Sequence, residues 1–451
     1  MLPPPPEGVV ELAASELPPL EVPPLPVVPP KLLEPPEAPG FLLLELQPDA
    51  SRASVSQAVA AWEPERRKRG LVMQTSWKGD PASRRHGNKN STPESSDVTR
   101  RIEAAAGKRQ WMQERDRSRD CGNLTKSDLP GIPKAVQFIR GRNHIASELG
   151  RALRSPAVAI GNFDGVHLGH RVLLREARRI ASACGGDTVA LTFDPHPARF
   201  FAPSLAPPML ASLARRAELL GEAGADIVLA EPFTAEFARL SAEEFVEQVL
   251  ATDLGARHVV VGADFSFGKD RRGNAALLAR MTEKLGIGLS IIPQVAANGL
   301  VCSSTKVREF ILAGRVEGAQ LLLGRPFEID GLVVHGLERG RKLGVPTTNL
   351  AYEGEILPKP GVYAGRARRL DGNQAAHAAA ISIGTNPTFT KPGDPELFIE
   401  AHLLDFIGDL YDARMRIQFL AHLREQRRFA SVDELIVAMQ ADIARTREIC
   451  L

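Results

Sequence analysis

From Val136 to about Arg315, short apolar runs alternate with segments whose apolar residues recur at a spacing near 3.6. Five apolar runs are predicted strands: Ala157–Ile160, Thr188–Phe193, Asp226–Leu229, His258–Val261 and Leu289–Ile292. The periodic segments are predicted helices: Arg171–Ala183, Ser212–Ala223, Ser241–Thr252 and Asn274–Leu285. Such alternation predicts a parallel sheet covered on both faces, with ligands bound at the carboxyl ends of its strands.

After about Arg315 the pattern changes to strand-like runs separated by turns, with no helix-length segment between them. These runs are Phe327–His335, Gly361–Arg369, Ala376–Ile383, Leu397–Phe406 and Met415–Leu423. They predict an antiparallel barrel or sandwich. A final amphipathic segment begins with Ser431 and Glu434 at capping-box spacing and runs to about Arg447. We expect it to pack on the barrel.

Residues 1–135 have a different composition. The first forty contain fourteen of the 35 prolines, which favours polyproline II and excludes helices and central strands. Residues 62–120 are basic and polar, so disorder is expected there. Three interpretations remain: a tail without a specific role, a tail that binds SH3-like domains or nucleic acid, or a segment outside the natural protein. The predicted domains are residues 1–135, 136–318 and 319–451.

Charge and cysteine content narrow the class of protein. The 56 basic and 54 acidic side chains nearly balance, so net charge gives no reason to expect nucleic acid as a partner. The four cysteines are scattered without metal-ligand spacing, which favours reduced thiols in the cytosol. No apolar run reaches the roughly 18 residues that span a bilayer, and no secretory signal is recognisable. We expect a cytoplasmic protein without membrane association.

The first candidate site is the stretch GNFDGVHLGH, which runs from Gly161 to His170. It follows a predicted strand and precedes a predicted helix, so backbone N–H groups and a helix N-terminus point into the turn. That arrangement suits an anion such as a phosphate. His167 and His170 flank the turn and can offer hydrogen bonds or positive charge.

Further polar residues follow other strands of the predicted sheet. They are Phe193, Asp194 and His196 in FDPHP, Asp264 in VGADFSFG, and Ser304, Thr305, Lys306 and Arg308 in SSTKVR, before a helix predicted to begin near Val307. Hydroxyls and cations at that helix start form a second anion-binding element. Two phosphate-binding elements in one crevice suit a nucleoside triphosphate.

The second region holds two more candidates. ERGRKLGVPTTN, from Glu338 to Asn349, is a basic, glycine-spaced loop without phosphate-loop spacing, and a charged hairpin loop remains the alternative. FIEAHLLDF places Glu400 within an apolar strand. A carboxylate there is either paired structurally or is a general base with a tuned pKa.

These motifs, in this order from about Val136 to the C-terminus, resemble those of the bacterial bifunctional riboflavin kinase/FAD synthetases. The resemblance implies a Rossmann-like α/β nucleotidyltransferase domain, then a six-stranded antiparallel β-barrel with a C-terminal helix. It also implies two reactions. ATP and riboflavin would give FMN and ADP, and ATP and FMN would then give FAD and pyrophosphate.

The resemblance further implies roles for individual residues. In the first domain, His167 and His170 would stabilise charge on the α-phosphate of ATP, and in the barrel Glu400 would take the proton of the attacking ribityl hydroxyl. The implied ATP-binding residues are Gly161, Asn162, Asp264, Ser304, Thr305, Lys306, Arg308, Gly340, Lys342 and Gly344. The flavin-site candidates are Phe193, Asp194, His196 and Asn386. Thr347 and Asn349 would coordinate Mg²⁺.

Two departures and two alternatives accompany this hypothesis. Lys306 stands where the family more often has arginine, which keeps the charge but loses the bidentate fork. Val345 stands where phenylalanine is usual. One alternative keeps a single activity; the other is an RNA- or SH3-binding scaffold that acts through residues 1–135. Under the main hypothesis, flavins are substrate and product, Mg²⁺ accompanies ATP, and flavoproteins are recipients of FAD.

Overall fold

The structure is a computed structural model that describes residues 9–11, 136–335, 345–352, 354–371, 375–385 and 397–450. All of these residues belong to one of the two compact units into which the chain divides. No helix among them is both long and apolar enough to cross a membrane.

The strands of the first region are β1 (Val9–Glu11), β2 (Gln137–Arg140), β3 (Ala157–Ile160), β4 (Thr188–Asp194), β5 (Ile227–Pro232), β6 (His258–Gly262), β7 (Ser266–Phe267), β8 (Gly273–Asn274), β9 (Gly288–Ile292), β10 (Gln294–Ala297) and β11 (Leu300–Val301). Six of them form a parallel sheet in the order β2-β5-β4-β3-β6-β9. The predicted α/β domain is therefore confirmed. The chain moves from β3 outward to β5 and then returns to β6, so the crevice at the carboxyl ends of β3 and β6 is the ligand position for this topology.

The helices of this region are α1 (Ile145–Leu149), α2 (Leu168–Ala183), α3 (Pro197–Phe201), α4 (Leu213–Glu222), α5 (Ala242–Glu244, continued by a π-helix over Phe245–Asp253), α6 (Ala275–Lys284), α7 (Ser304–Leu312) and α8 (Val316–Leu323). Side-chain caps fix several starts. Ser212 accepts a hydrogen bond from the Arg215 N–H, and Asn274 accepts one from the Leu277 N–H.

Near the domain junction, one helix begins earlier than predicted and a second helix was not predicted. The helix expected from about Val307 begins at Ser304, because Ser303 caps it by accepting from the Lys306 N–H at 3.2 Å. Helix α8 precedes the first predicted strand of the second region, in a segment for which no element was predicted. Its buried Val316, Ala319 and Leu323 have helical spacing that the sequence interpretation missed. The boundary proposed between residues 318 and 319 falls inside this helix.

One short strand forms within the proline-rich stretch, at Val9–Glu11. These residues pair in parallel with β10, which pairs antiparallel with β11. Residues 7–17 contain no proline, so their N–H groups can enter a ladder. Because β1 is at the edge of its sheet, the rule against proline-rich central strands still holds.

The second region is a closed barrel of six antiparallel strands in the order β12-β13-β16-β15-β14-β17. The strands are β12 (Phe327–Val334), β13 (Thr348–Tyr352), β14 (Gly361–Arg369), β15 (Ala376–Thr385), β16 (Leu397–Leu403) and β17 (Arg414–Glu425). Helix α9 (Val432–Cys450) packs against β14, β15 and β17 as predicted. Ser431 caps α9 by accepting from the Glu434 N–H, but the Glu434 carboxylate accepts from the Ala430 N–H instead of completing the box. Strand β13 was not predicted, because its first two residues are also the last two of the basic loop Glu338–Asn349.

Candidate active sites

The Gly161–His170 turn joins β3 to α2 at the centre of the sheet. His167 is the N-cap of α2, and its Nδ1 accepts from the His170 N–H at 3.4 Å. The imidazoles of His167 and His170 stack with centroids 3.7 Å apart, and the ring of Phe163 meets His170 edge-on at 5.2 Å. The two histidines therefore act as one packed unit at the mouth of the turn.

Both histidines are neutral in this environment. Burial, assisted by the charge of Arg325, lowers the pKa of His167 to about 3. Burial also lowers the pKa of His170 well below its usual value, with contributions from His167 and Arg216. The Nδ1 atom of His170 is buried without a hydrogen-bond partner among the described residues. The pair thus offers hydrogen bonds to a ligand but no standing positive charge.

These depressed pKa values predict a loss of stability in acid. The folded pKa of His167 lies below the unfolded value of 6.5, so the unfolded state binds more protons between the two, and stability falls as the pH drops below 6.5. His167 alone should contribute a loss of about 2 kcal/mol between pH 6.5 and pH 5. Urea unfolding at both pH values should show a smaller loss in His167→Gln than in the wild type. An equal loss in both proteins would contradict the assignment.

The turn is held in a strained conformation. Phe163 and Val166 have φ values of 49° and 42°, which side chains of their size rarely adopt. Such strain persists only where surrounding groups hold the backbone. Hydrogen bonds to three backbone carbonyls of the turn do so here. The Asn162 carbonyl accepts from Thr192 and Arg216, the Asp164 carbonyl from Ser304, and the Gly165 carbonyl from Arg325, at 2.8–3.1 Å.

The second predicted phosphate element contacts this turn directly. Arg308 forms an ion pair with the buried carboxylate of Asp164, which also accepts from the Leu210 N–H at 2.9 Å. Ser304 uses its one hydroxyl proton on the Asp164 carbonyl at 2.8 Å. The structure therefore brings the two elements into one crevice, with Ser304 and Arg308 engaged in holding the turn.

Other members of this set remain open to solvent. Asn162, Thr305 and Asp264 are exposed at the rim formed by β3, β6 and the start of α7. Lys306 pairs with Glu309 at 2.7 Å within α7. That pairing turns the Lys306 side chain along its own helix.

The FDPHP candidates lie at the end of β4, next to β3. Asp194 accepts from Arg140 at 3.0 Å, and His196 caps α3 by accepting from the Ala198 N–H at 3.1 Å. Burial, with nearby Arg216, lowers the pKa of His196 to about 4. Phe193 packs on the rings of Phe233 and Phe237 at 5.9 and 5.7 Å. Phe193 is therefore part of the hydrophobic core beneath the carboxyl end of β4.

The sequence interpretation missed Asp164, Arg216 and Arg325. Asp164 lay within the quoted motif, and its buried ion pair could have been suspected from a carboxylate in an apolar turn. Arg216 is an arginine on an amphipathic helix, and Arg325 lies in the segment before β12. Neither carries a sequence signal, because only the tertiary fold brings its guanidinium to the turn.

The second site is a cavity of about 570 Å³ on the outer face of the barrel, beside α9, which we call the barrel pocket. Its lining residues include Thr347, Ser382, Glu400, His402, Arg424, Phe429 and Met439. Asn349 of β13 and Ser382 of β15 are the register partners of Glu400 on either side of β16. Because side chains alternate along a strand, Thr347 and Asn349 share the outer face with Glu400.

Contacts around the pocket fix its wall. Arg424 donates from Nε and Nη2 to the Asp442 carboxylate at 2.7–3.1 Å, which ties α9 to β17. The guanidinium carbons of Arg424 and Arg427 lie 5.5 and 4.8 Å from the centroid of the Phe429 ring. This wall was not predicted. Four residues that were expected to bind ATP or flavin lie outside the described residues: Gly340, Lys342, Gly344 and Asn386.

Comparisons with known proteins match both regions. The FAD synthetase family model matches residues 151–306, and the riboflavin kinase model matches residues 323–450. A bifunctional riboflavin kinase/FMN adenylyltransferase of Pseudomonas fluorescens is 40% identical over 312 residues, which cover 69% of this chain and 97% of that protein. The protein of the same name from Listeria monocytogenes is 37% identical over 292 residues, 64% of this chain and 91% of its own.

A solved structure also resembles the chain. It is named as a macrolide-efflux protein from Streptococcus pneumoniae, with a TM-score of 0.61 and 29% identity. The match covers 69% of this chain and 99% of that one. Both family models, the identity to full-length relatives and the two sites lead to one conclusion. The chain belongs to the bifunctional riboflavin kinase/FMN adenylyltransferase family, whose activities take riboflavin to FMN and FMN to FAD.

Proposed function

We propose that the barrel pocket phosphorylates riboflavin and that the crevice at the Gly161–His170 turn adenylylates the resulting FMN. The observation that carries this proposal is the separation of two sites with different chemistry. One has a carboxylate, Glu400, beside hydroxyl and amide groups. The other has neutral histidines at a helix N-terminus.

In the barrel pocket, Glu400 is the proposed general base. It accepts the proton of the ribityl 5′-hydroxyl as that oxygen attacks the γ-phosphate of ATP, and ADP leaves. The pocket volume of about 570 Å³ lies in the range of small-molecule sites. Phe429 and Met439 supply apolar surface for a flat ring system, while Glu400 on strand β16 interacts with the reacting hydroxyl.

Thr347 and Asn349 are the proposed holders of Mg²⁺. Their side-chain oxygens are the hard ligands that this ion prefers, and they share a face with Glu400. The described residues contain no cluster of three or more His, Cys, Asp and Glu, which leaves phosphate oxygens and water to complete the shell. The bound ion would neutralise charge on the ATP phosphates.

In the crevice, the proposed reaction is attack by the FMN phosphate on the α-phosphate of ATP, with pyrophosphate leaving. His167 and His170 would donate hydrogen bonds to phosphate oxygens, assisted by the N-terminus of α2. Gly161, Asn162, Asp264, Ser304, Thr305, Lys306 and Arg308 are the proposed nucleotide contacts. Phe193, Asp194 and His196 are the proposed flavin side of the crevice. No covalent nucleophile is required, because positioning and electrostatics supply the catalysis.

A two-substrate assay tests this proposal. Purified full-length protein with ATP and riboflavin should form FMN and then FAD, and with ATP and FMN it should form FAD and pyrophosphate. Chromatography separates the three flavins. If the protein formed FMN from riboflavin but no FAD from riboflavin or from FMN, only the kinase activity would remain. The recipients we propose for the product are cytoplasmic flavoproteins that require FAD.

The ion pair between Arg424 and Asp442 should matter for the kinase reaction alone. Asp442→Asn removes the charge that ties α9 to the pocket wall, and should lower kcat/KM for riboflavin by about 5- to 30-fold, since charge-assisted hydrogen bonds contribute roughly 1–2 kcal/mol at partly buried sites. FAD formation from FMN should be unchanged. Glu448→Gln, which breaks a surface pair on the same helix, is the matched control. Equal kinetics for the two variants would refute this role.

A further inference from the structure

A buried charge cluster joins the barrel to α4 of the first domain. Arg215 pairs with Glu328 of β12 at 2.6 Å, and Arg416 of β17 pairs with Glu218 at 2.8 Å and with Asp330 at 2.6 Å. Burial opposes ionisation of Glu328, yet the guanidinium groups of Arg215, Arg325 and Arg416 hold its pKa at about 2. The two domains are therefore joined by a buried network of ion pairs in which Glu328 stays ionised.

Arg325 extends this cluster to the Gly161–His170 turn. Its Nη2 donates to the Gly165 carbonyl at 2.9 Å, and its Nε lies 3.8 Å from Glu328. The Nε and Nη1 atoms are buried without a hydrogen bond among the described residues. Burial lowers the pKa of Arg325 to about 10, so the side chain keeps its charge at neutral pH.

The Gly165 carbonyl has a special place in the turn. It lies between two left-handed residues, with φ values of 78° at Gly165 and 42° at Val166, directly before the histidine that caps α2. Thr192, Arg216 and Ser304 hold the other two carbonyls from within the first domain. The Gly165 carbonyl is held from the barrel side of the junction, since Arg325 follows α8 and lies two residues before the start of β12.

We propose that Arg325 is a positioning residue for adenylyl transfer, by which the kinase barrel completes the neighbouring active site. It acts through the Gly165 carbonyl, which sets the direction of the α2 N-terminus and of His167. Loss of this hydrogen bond would let the strained turn relax, and phosphate donors would then point away from the α-phosphate. The inference rests on the proposed adenylyl transfer.

The test uses full-length Arg325→Met and Arg325→Gln. Both should lower kcat for FAD formation from FMN by at least about tenfold, the effect expected for one charge-assisted hydrogen bond, with KM for FMN changed by less than about threefold. Riboflavin phosphorylation should stay within about twofold of the wild type. In Arg325→Ala, added guanidinium ion, at concentrations that leave the wild type unaffected, should restore part of kcat. Arg315→Met is the matched control, because Arg315 lies in the same junction and stacks on Phe310.

The outcomes separate the two proposals. Wild-type protein that forms no FAD would refute the adenylyl-transfer function itself. If the wild type forms FAD, and a folded Arg325→Met or Arg325→Gln variant does so at a rate within about twofold, only the role of Arg325 is refuted. Equal falls in both activities would also refute it, because that pattern indicates general loss of structure. Failure of guanidinium to restore a folded Arg325→Ala would count against it in the same way.

Discussion

Glu400→Gln is expected to lower kcat for riboflavin phosphorylation by about 10²- to 10⁴-fold, the range that general-base catalysis supplies. Glutamine keeps the size and a hydrogen-bonding oxygen but cannot accept the proton of the ribityl hydroxyl. FAD formation from supplied FMN should be unchanged, because Glu400 lies on the outer face of the barrel and the histidine pair lies at the sheet. Chromatographic assay of FMN and FAD measures both rates on one preparation.

The control for this substitution is Glu425→Gln on barrel strand β17, which does not pair with β16. Glu425 is exposed and pairs with Lys359 at 2.7 Å, away from the strand pairs that carry Glu400. It should leave both activities near wild type. If Glu400→Gln retained its kinase rate, Glu400 would be a structural carboxylate, the alternative that the sequence left open.

His170→Ala is expected to lower kcat for FAD formation from FMN by about 10²- to 10³-fold, as for loss of a preorganised hydrogen-bond donor. Riboflavin phosphorylation should continue, so FMN should accumulate when riboflavin and ATP are supplied. The imidazole also stacks on His167 and meets Phe163, so alanine leaves a gap in the turn. His170→Gln keeps more of the volume and separates the loss of the donor from the loss of packing.

His258→Ala is the matched control in the same sheet. His258 begins β6, at the amino edge, and its Nε2 contacts the Ser290 hydroxyl at 2.9 Å. Its substitution should spare FAD formation. If a folded His170 variant lost both activities together, the assignment of the two reactions to two sites would be wrong.

Much of the fold could be predicted from periodicity. All five predicted strands of the first domain lie in the parallel sheet, because buried parallel strands are continuous apolar runs. Four of them match the predicted limits within one residue, and β5 ends three residues beyond its predicted limit. The missed elements have weaker signals. Strand β13 follows a basic loop and alternates poorly, and α8 has only eight residues, too few for periodicity to separate a helix well from a strand.

The candidate sites, like the fold, could be predicted only in part. Local motifs indicated His167, His170, Ser304, Arg308 and Glu400, because glycine spacing, cap residues and a carboxylate within an apolar strand are visible in a few residues of sequence. Their contacts were not visible. The ion pair of Arg308 with Asp164 joins residues 144 positions apart, and the register that sets Asn349 opposite Glu400 depends on closure of the barrel.

The sequence alone thus determined the class of each domain, the order of the motifs and the residue types that can do the chemistry. Only the tertiary structure decided whether those residues are charged and which groups hold them in place. Burial makes the two histidines neutral, and three arginines from distant segments hold the turn and its carboxylate. The physical reason is that periodicity and turn chemistry act over a few residues, whereas desolvation and charge pairing depend on what the whole fold places nearby. The Gly161–His170 turn is a local motif, but side chains from both domains hydrogen-bond to its backbone.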